Sequence, residues 1–252
     1  MKKQYLGDVR DLFKYDLIQQ ILKGTSSLQK FTFIPMLTEN ESKSGDGNKR
    51  NFARAKKKGR PGTNNEELMK VLKKYKEMDA NKRDFTEIEL HFKLEGIDML
   101  LYKDKRHEYF DHRTGDDEYF KNIPENLLHT SLVFVDPDIG LQIKNSTKKH
   151  LLYPEVKYLY DHMDKDSILM IYQHFPRARY KYKEYSPEGR SSKLEKELGN
   201  LPIYISDKEI MLFLLTRSDR LRSQLGRIIE RYKRDYPKYK NLIVGNTNYS
   251  GT

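Results

Sequence analysis

Cysteine and tryptophan are both absent from this chain of 252 residues. Without cysteine there can be no disulfide framework, thiolate zinc site, iron–sulfur cluster or cysteine nucleophile. Long apolar runs are missing too, and no stretch has the length that crosses a bilayer. The opening Met1-Lys2-Lys3-Gln4-Tyr5 leads into no continuous apolar segment of a secretory signal. These absences predict a cytoplasmic protein with no membrane partner. A glycine-rich loop is also lacking after the first strand candidate. Thr38-Glu39-Asn40-Glu41 follows it instead, and Gly45 and Gly47 come only later.

What the chain has in excess is positive charge. Lys and Arg number 48 against 37 Asp and Glu, a net +11, with an isoelectric point near 9.4. An excess of this size points to a polyanionic partner, most simply nucleic acid. The 18 tyrosines offer rings that stack on bases or fill a core. The apolar residues are grouped in segments, and the length suffices to bury a sizeable core.

Residues Asp11–Leu22 place Leu12, Tyr15, Ile18 and Leu22 at helical spacing, and Gly24 stops that helix. Phe31–Leu37 reads as a short buried strand. Between Lys43 and Arg60 stand eight Lys/Arg and one Asp, so residues 39–63 are expected to form a basic flexible loop. Asn64 or Asn65 caps a helix running to about Met78. Phe85–Phe92 alternates like a strand; Asp98–Lys103 and Glu108–Phe110 suggest short strands, and Asp116–Leu128 a helix broken at Pro124. Ser131–Val135 and Ser167–Tyr172 are continuous apolar strands of the doubly buried kind. Between them Glu155–Met163 reads as a helix, with Pro154 in its first turn. Residues 178–197 are charged and predicted to be a mobile insert. Pro202–Ser206 and Glu209–Thr216 form a late hairpin, Arg220–Tyr236 is a basic amphipathic helix, and Leu242–Val244 adds an edge. Strands alternating with helices predict one α/β domain over residues 1–252. It is a Rossmann-like three-layer sandwich with a mostly parallel sheet and a late antiparallel strand pair.

Ligands of such sheets sit beyond the carboxyl ends of the strands. Both of the best strands end in chemically capable residues. Asp136-Pro137-Asp138-Ile139-Gly140 follows the first. Two carboxylates with a Pro-fixed bend can accept a hydrogen bond from an amine, act as a base or bind Mg²⁺. Tyr172-Gln173-His174-Phe175-Pro176-Arg177 ends the second, where His174 is an acid/base candidate and Arg177 a phosphate contact. Near the start, Asp8 caps the first helix, and Asp11 and Lys14 share a face at i, i+3. Lys56-Lys57-Lys58-Gly59-Arg60-Pro61-Gly62 reads as a phosphate-binding loop, with an AT-hook-like Gly-Arg-Pro as a variant of that reading. Pro137-Asp138 followed by Glu155-Val156-Lys157 matches the spacing of a PD-(D/E)xK nuclease, in which Asp136, Asp138 and Glu155 would hold Mg²⁺ and Lys157 would orient water.

The order of elements, with an acidic-Pro corner after a buried strand and a late strand pair, resembles the class I S-adenosylmethionine-dependent methyltransferases. Gly7 to Tyr15 is similar to the amino-terminal Gly-Asn-His-Ala-Asp-Val-Leu-Lys-His segment of the J-type ribosomal RNA adenine-N6 methyltransferases. The chain also resembles a group of uncharacterised bacterial proteins with Asp-Pro-Asp-x-Gly and Tyr-Gln-His. The methyltransferase resemblance implies S-adenosylmethionine as cofactor, held by Asp8, Asp11, Lys14 and Thr38. Asp136 and Pro137 would receive the target amine, with Asp138 and His174 beside them. Lys56, Lys57, Lys58, Arg60 and Arg177 would grip nucleic acid. The leading expectation is amino-group methylation of nucleic acid. A Mg²⁺-dependent nuclease and a non-catalytic nucleic-acid-binding module are the alternatives.

Overall fold

The structure is a computed structural model that describes residues 1–28, 30–40, 49–104, 109–110, 119–175 and 183–247. Helix α1 (Val9–Lys23) precedes the first strand, β1 (Lys30–Pro35). Then come α2 (Phe52–Lys57), α3 (Glu66–Lys74), α4 (Thr86–Leu94) and β2 (Asp98–Leu101). They are followed by α5 (Glu125–Leu128), β3 (Ser131–Asp136), the short β4 (Gly140–Leu141) and β5 (His150–Leu151), α6 (Tyr153–His162) and β6 (Ile168–His174). The chain closes with α7 (Pro187–Leu198), β7 (Ile203–Ser206), β8 (Ile210–Leu215), α8 (Asp219–Asp235) and β9 (Ile243–Gly245).

Seven strands form one sheet in the order β2-β1-β3-β6-β8-β7-β9. The pairings β1–β2, β1–β3 and β3–β6 are parallel, whereas β6–β8, β8–β7 and β7–β9 are antiparallel. The expected mostly parallel sheet is therefore mixed. The late hairpin turns the chain back, so β8 inserts between β6 and β7, and β9 adds a further reversed edge. Period-2 alternation sends successive side chains to opposite faces. Phe31, Phe33, Leu132, Phe134 and Met170 join a core with residues of α1, α3, α4 and α8. Ile34, Val133, Val135, Leu169 and Ile171 join a second core with residues of α5, α6 and α7. In the first core Phe33 stacks on Phe134 with centroids 5.4 Å apart and meets Phe85 edge-on at 5.0 Å. Such pairs add about 0.5–1.5 kcal/mol each beyond area burial. Asp16 accepts hydrogen bonds from Tyr232 at 2.8 Å and Tyr236 at 3.0 Å, which fastens α1 to α8.

Five further expectations need correction. Residues 86–92 lie on helix α4, with Phe85 as its N-cap, not on a strand. Phe85, Ile88 and Phe92 recur at helical spacing and are buried in one cluster, and Asp84 accepts from Thr86 N at 3.0 Å at the helix start. The basic segment 39–63 is not one open loop: Phe52 and Ala55 anchor α2 in the core, while residues 41–48 lie outside the described ones. Residues 187–198 of the expected mobile insert form α7, capped by Ser186 at 3.1 Å from Gly189 N, with Leu194 buried. Residues 176–182 lie outside the described ones. Within the predicted helix 116–128 only α5 is helical among the described residues, with Pro124 at its N-cap; Tyr109 and Phe110 form no strand, and Glu108 lies outside the described residues.

Gly62 tests the turn after α2. It has φ +84°, and a Cβ there would lie 2.6 Å from the Leu12 carbonyl oxygen. Gly96 has φ +73° with nothing within 4 Å. Gly96→Ala should cost the left-handed strain alone, about 1–2 kcal/mol. Gly62→Ala should cost clearly more, because α1 backbone must shift. Urea unfolding of both variants checks this, and equal losses would contradict the packing described.

Candidate functional site

The site lies at the carboxyl ends of β1 and β3. Their parallel register sets Pro35 beside Asp136, and Met36 N donates to Asp136 O at 3.2 Å. Asp136 is the last residue of β3 and is 1% exposed. Helix α1 runs into this edge. Asp8 is its N-cap and accepts from Arg10 N at 2.7 Å and Asp11 N at 3.1 Å. One turn inside, Asp11 accepts from Gly7 N at 2.8 Å through Oδ2. Its Oδ1 stands 2.7 Å from Lys14 Nζ. Lys14 Nζ also donates to Asp136 Oδ2 at 2.8 Å and lies 4.8 Å from the centre of the Tyr172 ring. Beyond β3, Asp138 Oδ2 accepts from Thr38 Oγ1 at 3.1 Å and lies 3.8 Å from Lys2 Nζ. The nitrogen of Met1 donates to Met36 O and Asp136 O, and Thr38 N donates to Met1 O at 2.8 Å.

Six residues singled out from sequence thus meet in one place: Asp8, Asp11, Lys14, Thr38, Asp136 and Asp138. They come from three segments, joined because α1 packs on one face of the sheet and Lys14 on it reaches Asp136 at the end of β3. Pro137 is buried beside them, as its place in the bend requires. His174 ends β6, where its backbone N–H donates to Ile139 O at 2.9 Å. Gln173 carries the side-chain contact there and accepts from Leu141 N at 2.8 Å.

Electrostatics separates the acids. Burial works against the charge of Lys14, but Asp11 and Asp136 outweigh it and raise its pKa well above the ordinary lysine range. Asp8 has no ion-pair partner among the described residues. Burial, followed by the charge of Asp11, pushes its carboxyl up to about 7. A buried acid without a countercation is suited to a cationic ligand.

Other expected residues are placed elsewhere. Arg60 forms ion pairs of 2.7 Å with Asp207 and 2.9 Å with Glu209. Arg10 and Lys49 join Glu209 at 3.1 and 2.9 Å. Burial favours a neutral Glu209, but Arg60 and the other cations hold it at about 2. Arg60 therefore locks the α2 turn to the β7–β8 hairpin, and Gly59-Arg60-Pro61 is a packed turn, not an extended hook. Lys56 pairs with Glu66 at 2.6 Å, while Lys57 and Lys58 are exposed. Arg177 lies outside the described residues. The nuclease constellation is not assembled. Glu155 is on helix α6 and accepts from Leu152 N at 2.6 Å as an N-terminal cap. Lys157 pairs with Asp161 at 2.9 Å on the outer face. Among the described residues no group of three or more His, Asp or Glu is arranged to hold a metal.

No family model matches the chain, and no curated protein does. Solved structures show only distant similarity. One is protein LPL1258 from Legionella pneumophila str. Philadelphia 1, described with the family model DUF519. Identity is 10%, the match covers 95% of this chain and 96% of that one, and the TM-score is 0.47. The chemistry is accordingly read from the side chains of this chain alone.

Sequence reasoning gave no role to Tyr172, Arg10, Asp207 and Glu209. Tyr172 was visible as the aromatic at the end of a buried strand. The others sit in helix and turn positions whose pairing depends on contacts far along the chain.

Asp8 yields a pH test. Its native carboxyl holds a proton more tightly than the unfolded chain does, for which 3.8 is the ordinary value. That contribution is complete below about 4 and is lost as pH rises through about 7. Asp8→Asn keeps an acceptor for the helix cap and cannot ionise. Its Tm should match wild type near pH 4 and exceed it progressively toward pH 8. A Tm difference that stays constant across this range would show that Asp8 is not the titrating group.

Proposed function

We propose that this chain is a methyltransferase-like enzyme of Rossmann-like architecture that methylates an amino group of nucleic acid. The observation that carries the reading is the meeting of Asp8, Asp11, Lys14 and Thr38 with the Asp136 corner at the carboxyl end of the central strands. The insertion of the reversed β8 between β6 and β7 agrees with the late strand pair of the resemblance. Net charge of +11 suits a polyanionic substrate.

S-adenosylmethionine, when bound, supplies an electrophilic methyl group on a sulfonium. The residues fit such a cation, because Asp8 is a buried carboxylate with no cation at ion-pair distance among the described residues, Arg10 and Lys14 acting on it only from further off. Asp8 and Asp11 hold its positive groups, and Thr38 lines the same edge. Lys14 pins Asp136 through Oδ2 and fixes the carboxylate's direction. Oδ1 of Asp136 accepts a hydrogen bond from the target amine and orients its lone pair. With the amine held in this way its lone pair would face the methyl group that the donor supplies. Burial of Asp136 keeps bulk water from competing for that hydrogen bond. The nuclease alternative finds no support in the positions of Glu155 and Lys157.

Calorimetric titration with S-adenosylmethionine and S-adenosylhomocysteine tests the reading. Saturable binding is expected in the wild type, weakened at least about tenfold, roughly 1.4 kcal/mol, by Asp11→Asn. Asp136→Asn should retain donor binding and lose labelled-methyl transfer to nucleic acid, with circular dichroism confirming the fold. Absence of donor binding in folded wild type would remove the methyltransferase reading and leave a nucleic-acid-binding module.

A further inference from the structure

An open groove of about 1010 Å³ runs between α2 and α3. Its lining includes Arg50, Lys56, Lys70, Lys73, Lys76 and Arg83, against the carboxylates Glu66 and Glu77. Lys56 is neutralised by Glu66 at 2.6 Å, and Lys70 pairs with Glu67 at 2.7 Å. Lys73 and Lys76 are exposed and have no ion-pair partner among the described residues.

Two guanidiniums set this groove apart from an ordinary solvated charged face. Arg50 Nη2 donates to Gln4 O at 3.1 Å and Leu6 O at 2.7 Å. Arg83 donates to the same Gln4 carbonyl and, through Nη2, to Met78 O at 3.1 Å. The two like charges therefore converge on one carbonyl oxygen. Arg83 is 7% exposed. The Nε of each is buried and has no hydrogen-bond partner among the described residues. No carboxylate stands within ion-pair distance of either among the described residues. Burial lowers the pKa of both and Arg50 lowers that of Arg83 further, while the more distant Asp8 and Asp11 offset part of this at Arg50 and Asp79 part of it at Arg83. Arg83 is buried and Arg50 half-buried, and neighbouring cations so placed without an anion in contact are costly. A phosphate oxygen is the ligand that relieves them, since guanidinium donors match its geometry.

The groove also connects to the candidate site. Gln4 and Leu6, held by the arginines, lie in the segment that ends at Asp8. Val9 N donates to Lys49 O at 2.9 Å, next to Arg50. We infer that the α2–α3 groove is the track of a nucleic-acid strand, with Arg50 and Arg83 gripping a backbone phosphate and Lys73 and Lys76 steering the strand along it. This rests on nucleic acid being the substrate and moves the phosphate contacts from Arg60 to the groove. A single strand is the fitting form, because a base must leave its stack to reach a corner as buried as Asp136.

Fluorescence anisotropy with labelled single-stranded RNA and DNA of about 15 nucleotides tests the inference, over a salt series and without methyl donor. The variants are Lys73→Gln with Lys76→Gln, which are exposed and leave the core intact, and Arg83→Lys, which keeps a charge and loses the fork. Arg231→Gln, on the exposed face of α8, is the control. The double lysine variant should weaken binding and flatten the log–log salt slope by about 0.7 for each phosphate that is no longer neutralised. Arg83→Lys should weaken binding about tenfold or more at fixed salt, roughly 1.4 kcal/mol, and Arg231→Gln should match wild type. Wild-type affinity and slope in the groove variants would overturn the groove, as would a loss confined to Arg231→Gln or no oligonucleotide binding at all. Calorimetric donor binding, measured separately, is expected to be unchanged in the groove variants. A failure of donor binding counts against methyl transfer alone, and unchanged oligonucleotide affinity counts against the groove alone.

Discussion

Lys14 is the charge around which the candidate site is arranged. Its ammonium lies between Asp11 and Asp136 at 2.7 and 2.8 Å, with all three groups buried. Burying one of these charges alone would cost several kcal/mol, and together they are tolerable only in good geometry. That condition fixes the rotation of α1 about its axis and its height against β3. It also sets where Asp8, one turn away, delivers its carboxylate. No cation stands within ion-pair distance of Asp8 among the described residues. The knot therefore both stabilises the junction of helix and sheet and presents an acid suited to a cation.

The positive charge of the chain divides into two populations. One holds the fold together: Arg60, Arg10 and Lys49 converge on Asp207 and Glu209 and tie the α2 turn and α1 to the β7–β8 hairpin. Arg190 and Arg222 likewise donate to the backbone carbonyls of Gln142 and Leu201. The other population faces outward, with Lys73 and Lys76 on one surface and Arg227 and Arg231 on another. Composition gives the total of +11, and only the partners show which cations are engaged internally. The Gly-Arg-Pro turn shows the difference, because its arginine is neutralised by two acids of the distant β7–β8 hairpin.

Much of the architecture was legible from local pattern. α1, β3, β6, the β7–β8 hairpin and α8 were placed within a few residues, because their apolar periodicity is long and their caps are strong. Misreadings fell where two periods agree. Phe85, Ile88 and Phe92 suit a helix face, while Phe85-Thr86-Glu87-Ile88 also alternates, and packing against Phe33 and α3 decided for the helix. α7 was read as mobile because its face is mostly charged; one buried leucine and the Arg190 contact hold it in place. The mixed sense of the sheet was only half visible, since a hairpin implies reversal but does not say which strand it inserts beside.

The sequence alone determined that carboxylates would leave the ends of buried strands. It also placed Asp8, Asp11 and Lys14 on one helix, since i, i+3 spacing and strand alternation are properties of the local backbone. Only the tertiary structure decided that Lys14 meets Asp136, that Thr38 meets Asp138, that Glu155 serves as a helix cap and that Arg60 is not a free cation. Those outcomes depend on which distant partner lies within about 3 Å. The energy of a buried charge is set by that partner and not by its neighbours in sequence.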